Sequence, residues 1–227
     1  MVKLVLFDID GTLVRTGGAG VEAFRRVFAA EFNATDGFEK LKFAGRTDTG
    51  LVREFFEYHK IPMTKKNIER FFEHYVFLLD YILEQGAPRV CEGALEFIAA
   101  LRALPSSPMI GLLTGNIRLG AEIKLRHCGI WDIFEMGAFA DDSEDRNQIA
   151  AAARERGSRL LGKPLRGGEI LVIGDTPHDI RCGRFIGAKA LAVATGGATL
   201  AELKNHQPDW AVENLSRVSA KEIVLSN

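Results

Sequence analysis

Short apolar runs that stop at glycine-containing turns are the feature that most constrains the fold of this 227-residue chain. The first, Val2–Phe7, is too short for a helix and ends at Asp8-Ile9-Asp10-Gly11, which is typical of a buried strand leading into a turn. The other candidates are Met109–Leu113, Ile170–Ile173 and Ala190–Ala194, with weaker runs at Phe134–Phe139 and Trp210–Val212. The sequence therefore predicts several short strands.

Helical patterns separate these strands along the chain. They cover Ala94–Leu104, Leu119–His127, Gln148–Leu161, Asp179–Ile186 and Thr199–Lys204. Strands that alternate with helices predict an α/β fold, in which helices cover both faces of a parallel sheet.

The interval from about Gly17 to Gln85 breaks this alternation. It has no strand candidate, and its helical segments lie near Val21–Phe32, Thr47–His59 and Lys65–Leu83. Ten of the 15 phenylalanines fall within this interval. We interpret residues 17–86 as a helical domain inserted into a core domain formed by residues 1–16 and 87–227, with border glycines that permit hinge motion.

Composition indicates an ordinary globular protein and excludes several partners. Hydrophobic residues make up 47% of the chain and charged residues 26%, which excludes a disordered or fibrous chain. The net charge of −1 provides no overall field for nucleic acid or an anionic membrane, so neither is an expected partner. The three scattered cysteines are expected to be thiols: Cys91, Cys128 and Cys182. With no signal peptide or membrane span recognised, we expect a soluble, cytoplasmic protein.

Polar residues follow three of the predicted strands at the point where each strand ends. They are Asp8 and Asp10, then Thr114 and Asn116, then Asp175 and Asp179. Each is also a common helix cap or turn residue when taken alone. Ligands bind at the carboxyl edge of an open α/β sheet, so their shared placement predicts an active site there.

Four carboxylates at one edge would repel one another and raise their own pKa values. A divalent cation relieves that repulsion, and oxygen ligands without His or Cys favour Mg²⁺. A hard cation beside a hydroxyl group, turn amides and one base is suited to binding a phosphoryl group. Asp8 could then serve as a nucleophile.

The motifs resemble those of the haloacid dehalogenase superfamily. Asp8-Ile9-Asp10-Gly11-Thr12 is similar to its DxDGT signature, Leu112-Leu113-Thr114-Gly115 to its second motif, and Gly174-Asp175-Thr176-Pro177-His178-Asp179 to its fourth motif, GDxxxD. The inserted helices resemble the cap of the phosphoglycolate phosphatase-like branch. The resemblance covers essentially the whole chain and implies a Rossmann-like core with an α-helical cap.

The resemblance also implies a role for each motif residue. Asp8 would be the nucleophile that forms an aspartyl-phosphate, and Asp10 the general acid and base. Mg²⁺ would be held by the carboxylates of Asp8 and Asp175 and the backbone carbonyl of Asp10, with Asp179 in or just behind that shell. Thr114 would bind the transferred phosphoryl group, helped by the turn residues Gly11, Thr12, Gly115 and Asn116.

The third motif departs from the family pattern, which usually supplies a lysine. Arg146 lies at about the expected distance before Asp175, and Lys163 is the rival candidate. Lys163 comes just before the strand that feeds the fourth motif, which would place it at the opposite end of the sheet. We therefore assign the role to Arg146, whose guanidinium can hold phosphate.

The cap and the substrate are less constrained by the sequence. Arg46 opens a cap helix and resembles a position that touches substrate in relatives, although a surface ion pair explains it equally well. A Mg²⁺-dependent phosphatase acting on a small phosphorylated metabolite is the leading hypothesis. Phosphoglycolate, sugar phosphates and nucleoside monophosphates are all open as substrates, and the chain is expected to be a monomer or homodimer.

Three other functions compete with a phosphatase. A phosphomutase would keep all the motifs, so the sequence does not separate it from a phosphatase. A haloacid dehalogenase needs neither the acid at Asp10 nor the metal motif, which disfavours it. A receiver-like phosphoacceptor domain would lack a helical insert of this size.

Overall fold

The computed structural model of the protein describes residues 1–225. Its strands are β1 (Leu4–Phe7), β2 (Val14–Arg15), β3 (Arg89–Val90), β4 (Met109–Leu113), β5 (Met136–Ala138), β6 (Ile170–Gly174), β7 (Lys189–Val193) and β8 (Trp210–Val212). Six of them form a parallel sheet in the order β5-β4-β1-β6-β7-β8. Strand β1 therefore lies between β4 and β6, with Phe7 paired to Leu112 on one side and Ile173 on the other.

Helices cover both faces of this sheet. The helices are α1 (Ala19–Phe32), α2 (Asp48–Tyr58), α3 (Lys65–Gln85), α4 (Ala94–Arg102), α5 (Arg118–His127), α6 (Arg146–Leu160), α7 (Pro177–Phe185), α8 (Leu200–Asn205) and α9 (Ala220–Leu225). Side chains of β1 alternate between faces: Val5 and Phe7 pack with α4, α5 and α9, whereas Leu4 and Leu6 pack with α6 and α7. This confirms the predicted α/β fold.

Helices α1, α2 and α3 share an aromatic core of their own. The rings of Phe24 and Phe28 on α1 lie 4.9 and 4.5 Å from the ring of Phe71 on α3, within the range of favourable aromatic pairs. Ile117 and Ala140, outside this segment, extend the same cluster. The phenylalanines of the helical segment therefore pack it together and onto the sheet domain; the domain limits at residues 17 and 86 stay a prediction.

A short antiparallel pair was missed from the sequence. Val14 and Arg15 of β2 pair with Val90 and Arg89 of β3. Two-residue strands are too short to show a hydrophobic period, which explains the omission. The pair lies just outside the two ends of the helical segment, so the two connections to the sheet run side by side.

Two further predictions concern location and cysteines. Within residues 1–225, no helix combines the length and apolar character needed to cross a membrane. Cys91, Cys128 and Cys182 are free thiols, as predicted. The cytoplasmic location, the oligomeric state and the absence of a nucleic-acid or membrane partner stay predictions.

Candidate active site

The sheet order brings three motifs together. Asp8 directly follows β1, Thr114 follows β4 and Asp175 follows β6. Because β4 and β6 flank β1 and all three strands are parallel, their carboxyl ends meet at one edge. The site is therefore assembled at the centre of the sheet from residues far apart in the chain.

Three carboxylates form a buried cluster at this edge. One oxygen from each of Asp8, Asp175 and Asp179 lies within 4.8 Å of the others, and all three residues are buried. Burial raises the pKa of Asp8 to about 7 and that of Asp175 to about 8, and repulsion from Asp179 adds to both shifts. We call these three residues with Arg146 the carboxylate cluster.

Arg146 supplies the positive charge of the carboxylate cluster. It is the first residue of α6, which Asp145 caps by accepting a hydrogen bond from the Asn147 backbone N–H. Its guanidinium pairs with Asp179 and lies 3.6 Å from a carboxylate oxygen of Asp8. Although burial opposes it, attraction to Asp179 and Asp8 raises the pKa of Arg146, so the guanidinium stays charged.

Lys163, the rival of Arg146, lies elsewhere. It follows α6 and interacts with Lys3 and Glu169, which border the amino-terminal ends of β1 and β6. That is the end of the sheet opposite to Asp8. Of the two candidates, only Arg146 lies in the cluster.

The chain after β1 must pass very close to Asp175. Gly11 has a φ of 82°, and a Cβ at this position would lie 2.6 Å from Asp175 Oδ2. Glycine is therefore required by both conformation and space. Thr12 next to it is buried and donates a hydrogen bond of 3.3 Å from Oγ1 to Asp175 Oδ1, so its side chain orients this carboxylate.

Asp10 lies in a different environment from Asp8. Its Oδ2 accepts a 2.6 Å hydrogen bond from Lys124 Nζ and a 2.8 Å bond from Asn116 Nδ2. The same Asn116 amide group donates to Thr114 Oγ1 at 2.8 Å, and Lys124 also donates to the amide oxygen of Asn116. We call Asp10, Asn116 and Lys124 the lysine side.

Lys124 was missed by the sequence analysis although it is only 4% exposed. It lies on α5 three residues after Ala121 and one before Leu125, both fully buried. A lysine on the buried face of an amphipathic helix is unusual and signals a buried charged partner. That spacing could have identified Lys124 before the structure was known.

The start of α2 ties the helical segment to the second motif. The Asp48 backbone N–H donates to the Gly115 carbonyl at 2.7 Å, and the Ile117 backbone N–H donates to Asp48 Oδ2 at 2.8 Å. Thr47 Oγ1 adds a bond to the Glu144 carbonyl at 3.0 Å. Burial raises the pKa of the Asp48 carboxyl to about 7.

Arg46 comes just before this contact. Its surroundings agree with both interpretations given for it, an ion pair and a position beside the substrate. Its guanidinium pairs with Glu54 of α2 at 2.5 Å, and its side chain also borders the active-site cavity. The backbone carbonyl oxygen of Arg46 lies so near Gly115 that a Cβ added at Gly115 would be 2.1 Å from this oxygen. Gly115 thus permits close approach of the two segments.

The sequence of this chain matches a known family over most of its length. The profile of haloacid dehalogenase-like hydrolases matches residues 5–193, which include Asp8, Thr114, Arg146 and Asp175. The chain belongs to this family. The predicted superfamily is thereby confirmed.

Curated relatives of this haloacid dehalogenase-like hydrolase match along nearly the whole chain. "Probable phosphatase IndB" of Dickeya dadantii is 27% identical over 224 residues, covering 96% of this chain and 92% of the relative. Pyrophosphatase PpaX of Anoxybacillus flavithermus is 23% identical over 216 residues, covering 95% and 94%. These names describe the relatives.

Solved structures support the fold of this hydrolase. A predicted phosphoglycolate phosphatase from Haemophilus somnus has a TM-score of 0.74 at 19% identity, with 95% of each chain covered. CbbY from Rhodobacter sphaeroides, in complex with phosphate, has a TM-score of 0.69 at 18% identity, with 87% of this chain and 88% of CbbY covered.

In this hydrolase, one cavity of about 600 Å³ connects the carboxylate cluster to the helical segment. Nine of the eleven predicted site residues line it: Asp8, Asp10, Gly11, Arg46, Thr114, Gly115, Asn116, Arg146 and Asp175. Thr12 and Asp179 lie behind this lining, bonded to Asp175 and Arg146. Val21, Phe24, Phe43, Leu51, Tyr75 and Lys124 add a wall that the sequence analysis did not identify.

Proposed function

We propose that this hydrolase is a Mg²⁺-dependent phosphatase that acts on a small phosphate monoester through an aspartyl-phosphate on Asp8. The observation that carries this proposal is the carboxylate cluster: a buried Asp8 with Arg146 and two further carboxylates, open to a cavity of substrate size. The names of the relatives, a phosphatase and a pyrophosphatase, support phosphoryl chemistry.

The donor set of the cluster fits a hard divalent cation. When all three carboxylates are ionised, the one guanidinium leaves two negative charges uncompensated in a buried site. The ligand atoms are all oxygens, which Mg²⁺ prefers. Asp8, Asp175 and the backbone carbonyl of Asp10 would hold the ion, with Asp179 in or just behind that shell. The ion when bound would supply positive charge to screen the repulsion between Asp8 and a phosphate dianion.

Asp8 then acts as the nucleophile. A carboxylate oxygen of Asp8 forms a bond to phosphorus while the bond from phosphorus to the leaving oxygen breaks. Arg146, 3.6 Å from Asp8, is placed to bind the phosphoryl oxygens, because a guanidinium stays charged and donates several hydrogen bonds. Thr114 and the backbone amides of Gly115 and Asn116 are proposed to add further donors.

Asp10 transfers the proton. In the first step its carboxyl group donates a proton to the leaving oxygen, so that an alcohol departs. In the second step the resulting carboxylate takes a proton from water as that water attacks phosphorus, which releases phosphate and restores Asp8. The side chain of Asp10 is 42% exposed and borders the cavity, so it can reach a bound substrate.

A panel of phosphate esters and pyrophosphate, assayed with Mg²⁺, tests this proposal. We expect the wild type to release phosphate at least a thousandfold faster than Asp8→Asn, since the nucleophile is removed with little change in shape. Asp10→Asn should react once with p-nitrophenyl phosphate, whose leaving group needs no proton, and then stop as a phosphorylated protein visible by mass spectrometry. Equal phosphate release by wild type and Asp8→Asn contradicts the proposal.

The competing phosphomutase reaction is measured in the same panel. A mutase would return the phosphoryl group to a sugar hydroxyl and would depend on a bisphosphate activator. Product analysis with and without a sugar bisphosphate separates the two reactions, and free phosphate without the activator is expected from a phosphatase.

A further inference from the structure

The wall of the cavity contains a hydroxyl group that the proposed mechanism does not use. The ring of Tyr75 on α3 is packed against Phe24 and Phe71, and the residue is only 1% exposed. Its hydroxyl group has no hydrogen-bond partner within residues 1–225, yet the residue lines the active-site cavity. Because Tyr75 borders the cavity and the described part of the protein does not engage its hydroxyl group, that group is available to a bound molecule.

Lys124 offers a second unused donor on the same wall. An ammonium group has three N–H donors, and within the described chain two of them are used by Asp10 and Asn116. The third is available to a ligand in the cavity, which Lys124 also lines. Because Lys124 contacts the carboxylate that would protonate the leaving oxygen, this donor is close to the part of the substrate that departs.

Gly20 leaves space beside both groups. A Cβ added at Gly20 on α1 would lie 3.5 Å from Lys124 Nζ and 3.7 Å from the Tyr75 hydroxyl oxygen. Because residue 20 has no side chain, a space remains between α1 and the polar groups of Lys124 and Tyr75. This volume belongs to the same cavity.

The charged groups around Tyr75 and Lys124 disfavour the binding of an anionic group. The ammonium of Lys124 already pairs with Asp10 at 2.6 Å, and Arg46 already pairs with Glu54 at 2.5 Å. Asp48 adds a further acidic group to the lining. A carboxylate or second phosphate placed beside Tyr75 and Lys124 would meet the acidic groups of Asp10 and Asp48, whereas a neutral hydroxyl group could both donate and accept.

We propose that Tyr75, Lys124 and the open face of Gly20 form a subsite that binds a hydroxyl group of a neutral leaving group, as in a polyol or sugar phosphate. The proposal rests on the phosphatase function proposed above and narrows its substrate class. Val21, Phe24 and Leu51 supply apolar surface for the carbon atoms of such a leaving group. The subsite disfavours phosphoglycolate, whose leaving group carries a carboxylate.

Three esters with three-carbon leaving groups test the subsite: propyl phosphate, glycerol 3-phosphate and 3-phosphooxypropanoate. They share the reacting phosphoryl group and differ in hydroxyl and carboxylate content. We expect the wild type with Mg²⁺ to have a kcat/KM for glycerol 3-phosphate about tenfold above that for either other ester.

Two variants address the subsite without altering the carboxylate cluster. Tyr75→Phe keeps the packed ring and removes the hydroxyl group, so we expect the preference for glycerol 3-phosphate over propyl phosphate to fall about fivefold. Gly20→Ala fills the open volume and is favourable for a helix, so a fall in the same preference would not reflect loss of α1. Tyr81→Phe on the exposed side of α3 is the matched control and should leave the preference unchanged.

The outcomes separate the subsite from the phosphatase reaction. Hydrolysis of all three esters with no preference for glycerol 3-phosphate, or a preference that Tyr75→Phe and Gly20→Ala do not change, overturns the subsite and leaves the phosphatase standing. Preferred hydrolysis of 3-phosphooxypropanoate overturns it as well and points instead to Arg15 and Arg89, which also line the cavity. If no ester is hydrolysed faster than by Asp8→Asn, both proposals fail.

Discussion

Asp8 and Asp10 are two residues apart, yet their carboxylates lie in regions of opposite character. The side chain of Asp8 is 8% exposed and belongs to the carboxylate cluster, where negative charges outnumber the single guanidinium. The side chain of Asp10 is 42% exposed and belongs to the lysine side, where one carboxylate meets one ammonium. The comparison teaches that a fold can give two acidic groups of one short turn different charge environments by placing different elements beside each of them.

The difference in charge balance follows from which strands flank β1. On the side of β6, the neighbouring turn brings Asp175 and Asp179, which adds negative charge. On the side of β4, the neighbouring turn brings Asn116, and the helix that follows brings Lys124. An excess of negative charge favours a bound cation, whereas a balanced ion pair fixes the position of one carboxylate, which suits the acid–base role proposed for Asp10.

Of the residues that surround Asp8 and Asp10, Arg146 should give the largest effect when replaced, because its loss removes the positive charge of the carboxylate cluster. We expect Arg146→Ala to lower kcat/KM at least a hundredfold, the usual cost of losing a group that stabilises transition-state charge. Lys163→Ala should stay within about twofold of wild type, since Lys163 lies at the opposite end of the sheet. Steady-state kinetics on one ester decide between them, and the reverse ranking would overturn the assignment.

Removing Mg²⁺ should lower the Tm of the protein through the carboxylate cluster and not through the lysine side. Binding at about a hundred times its Kd adds about 2.7 kcal/mol, equivalent to roughly 5–10 °C in Tm for a chain of this size. Asp175→Asn should lose most of this gain, because a cluster carboxylate is gone. It should also raise the Tm of the chelator-treated protein, since burial and repulsion raise the pKa of Asp175 to about 8.

Thermal unfolding with chelator and with Mg²⁺ measures both changes. NaCl at equal ionic strength is the control for screening of surface charge. A Tm gain that is the same in wild type and Asp175→Asn would place the metal outside the cluster.

Replacing Lys124 tests whether the lysine side contributes to the reaction. Lys124→Met keeps the length of the side chain and removes the charged hydrogen bonds to Asp10 and Asn116. We expect kcat to fall about tenfold, since hydrogen bonds to charged groups contribute about 1.5–3 kcal/mol. In an Asp10→Asn background, followed by the rate of the single phosphorylation by p-nitrophenyl phosphate, the same change should cost much less, because its main partner is already neutral. Equal costs in both backgrounds would mean that Lys124 acts independently of Asp10.

The parallel sheet and the carboxylate cluster could be predicted because their signals are local. An apolar run followed by a turn indicates a strand such as Met109–Leu113, and its observed bounds match the predicted ones. Asp8 and Asp175 follow directly from such turns. Given parallel strands, the meeting of their ends at one edge needs no side-chain detail.

Lys124 and Tyr75 could not be placed in the same way, because their positions depend on non-local packing. Lys124 reaches Asp10 only after α5 packs on the sheet, and Tyr75 reaches the cavity only after α3 packs near α1. Tyr75 looks like an ordinary helical residue in the sequence, and the spacing of Lys124 indicates a buried charge without identifying its partner. The wall of the cavity therefore emerges from contacts between helices that the sequence pattern does not specify.

Replacing Asp48 should give the smallest effect. The substitution tests whether the contact between α2 and the second motif is made by a neutral carboxyl group. Burial raises the pKa of Asp48 from 3.8 in the unfolded reference to about 7 in the fold. A raised folded-state pKa contributes stability that is complete below about pH 4 and is lost as the pH rises through about 7. Asp48→Asn removes this titration and can retain the hydrogen bond from the Ile117 N–H.

Urea unfolding at pH 5 and pH 8 measures that contribution. We expect Asp48→Asn to be more stable than wild type at pH 8, by about 1 kcal/mol, and closer to wild type at pH 5. The difference between the two proteins isolates Asp48, because Asp8 and Asp175 titrate in both. If both proteins lose the same stability between these pH values, Asp48 is ionised throughout, and the contact between α2 and the second motif depends on charge.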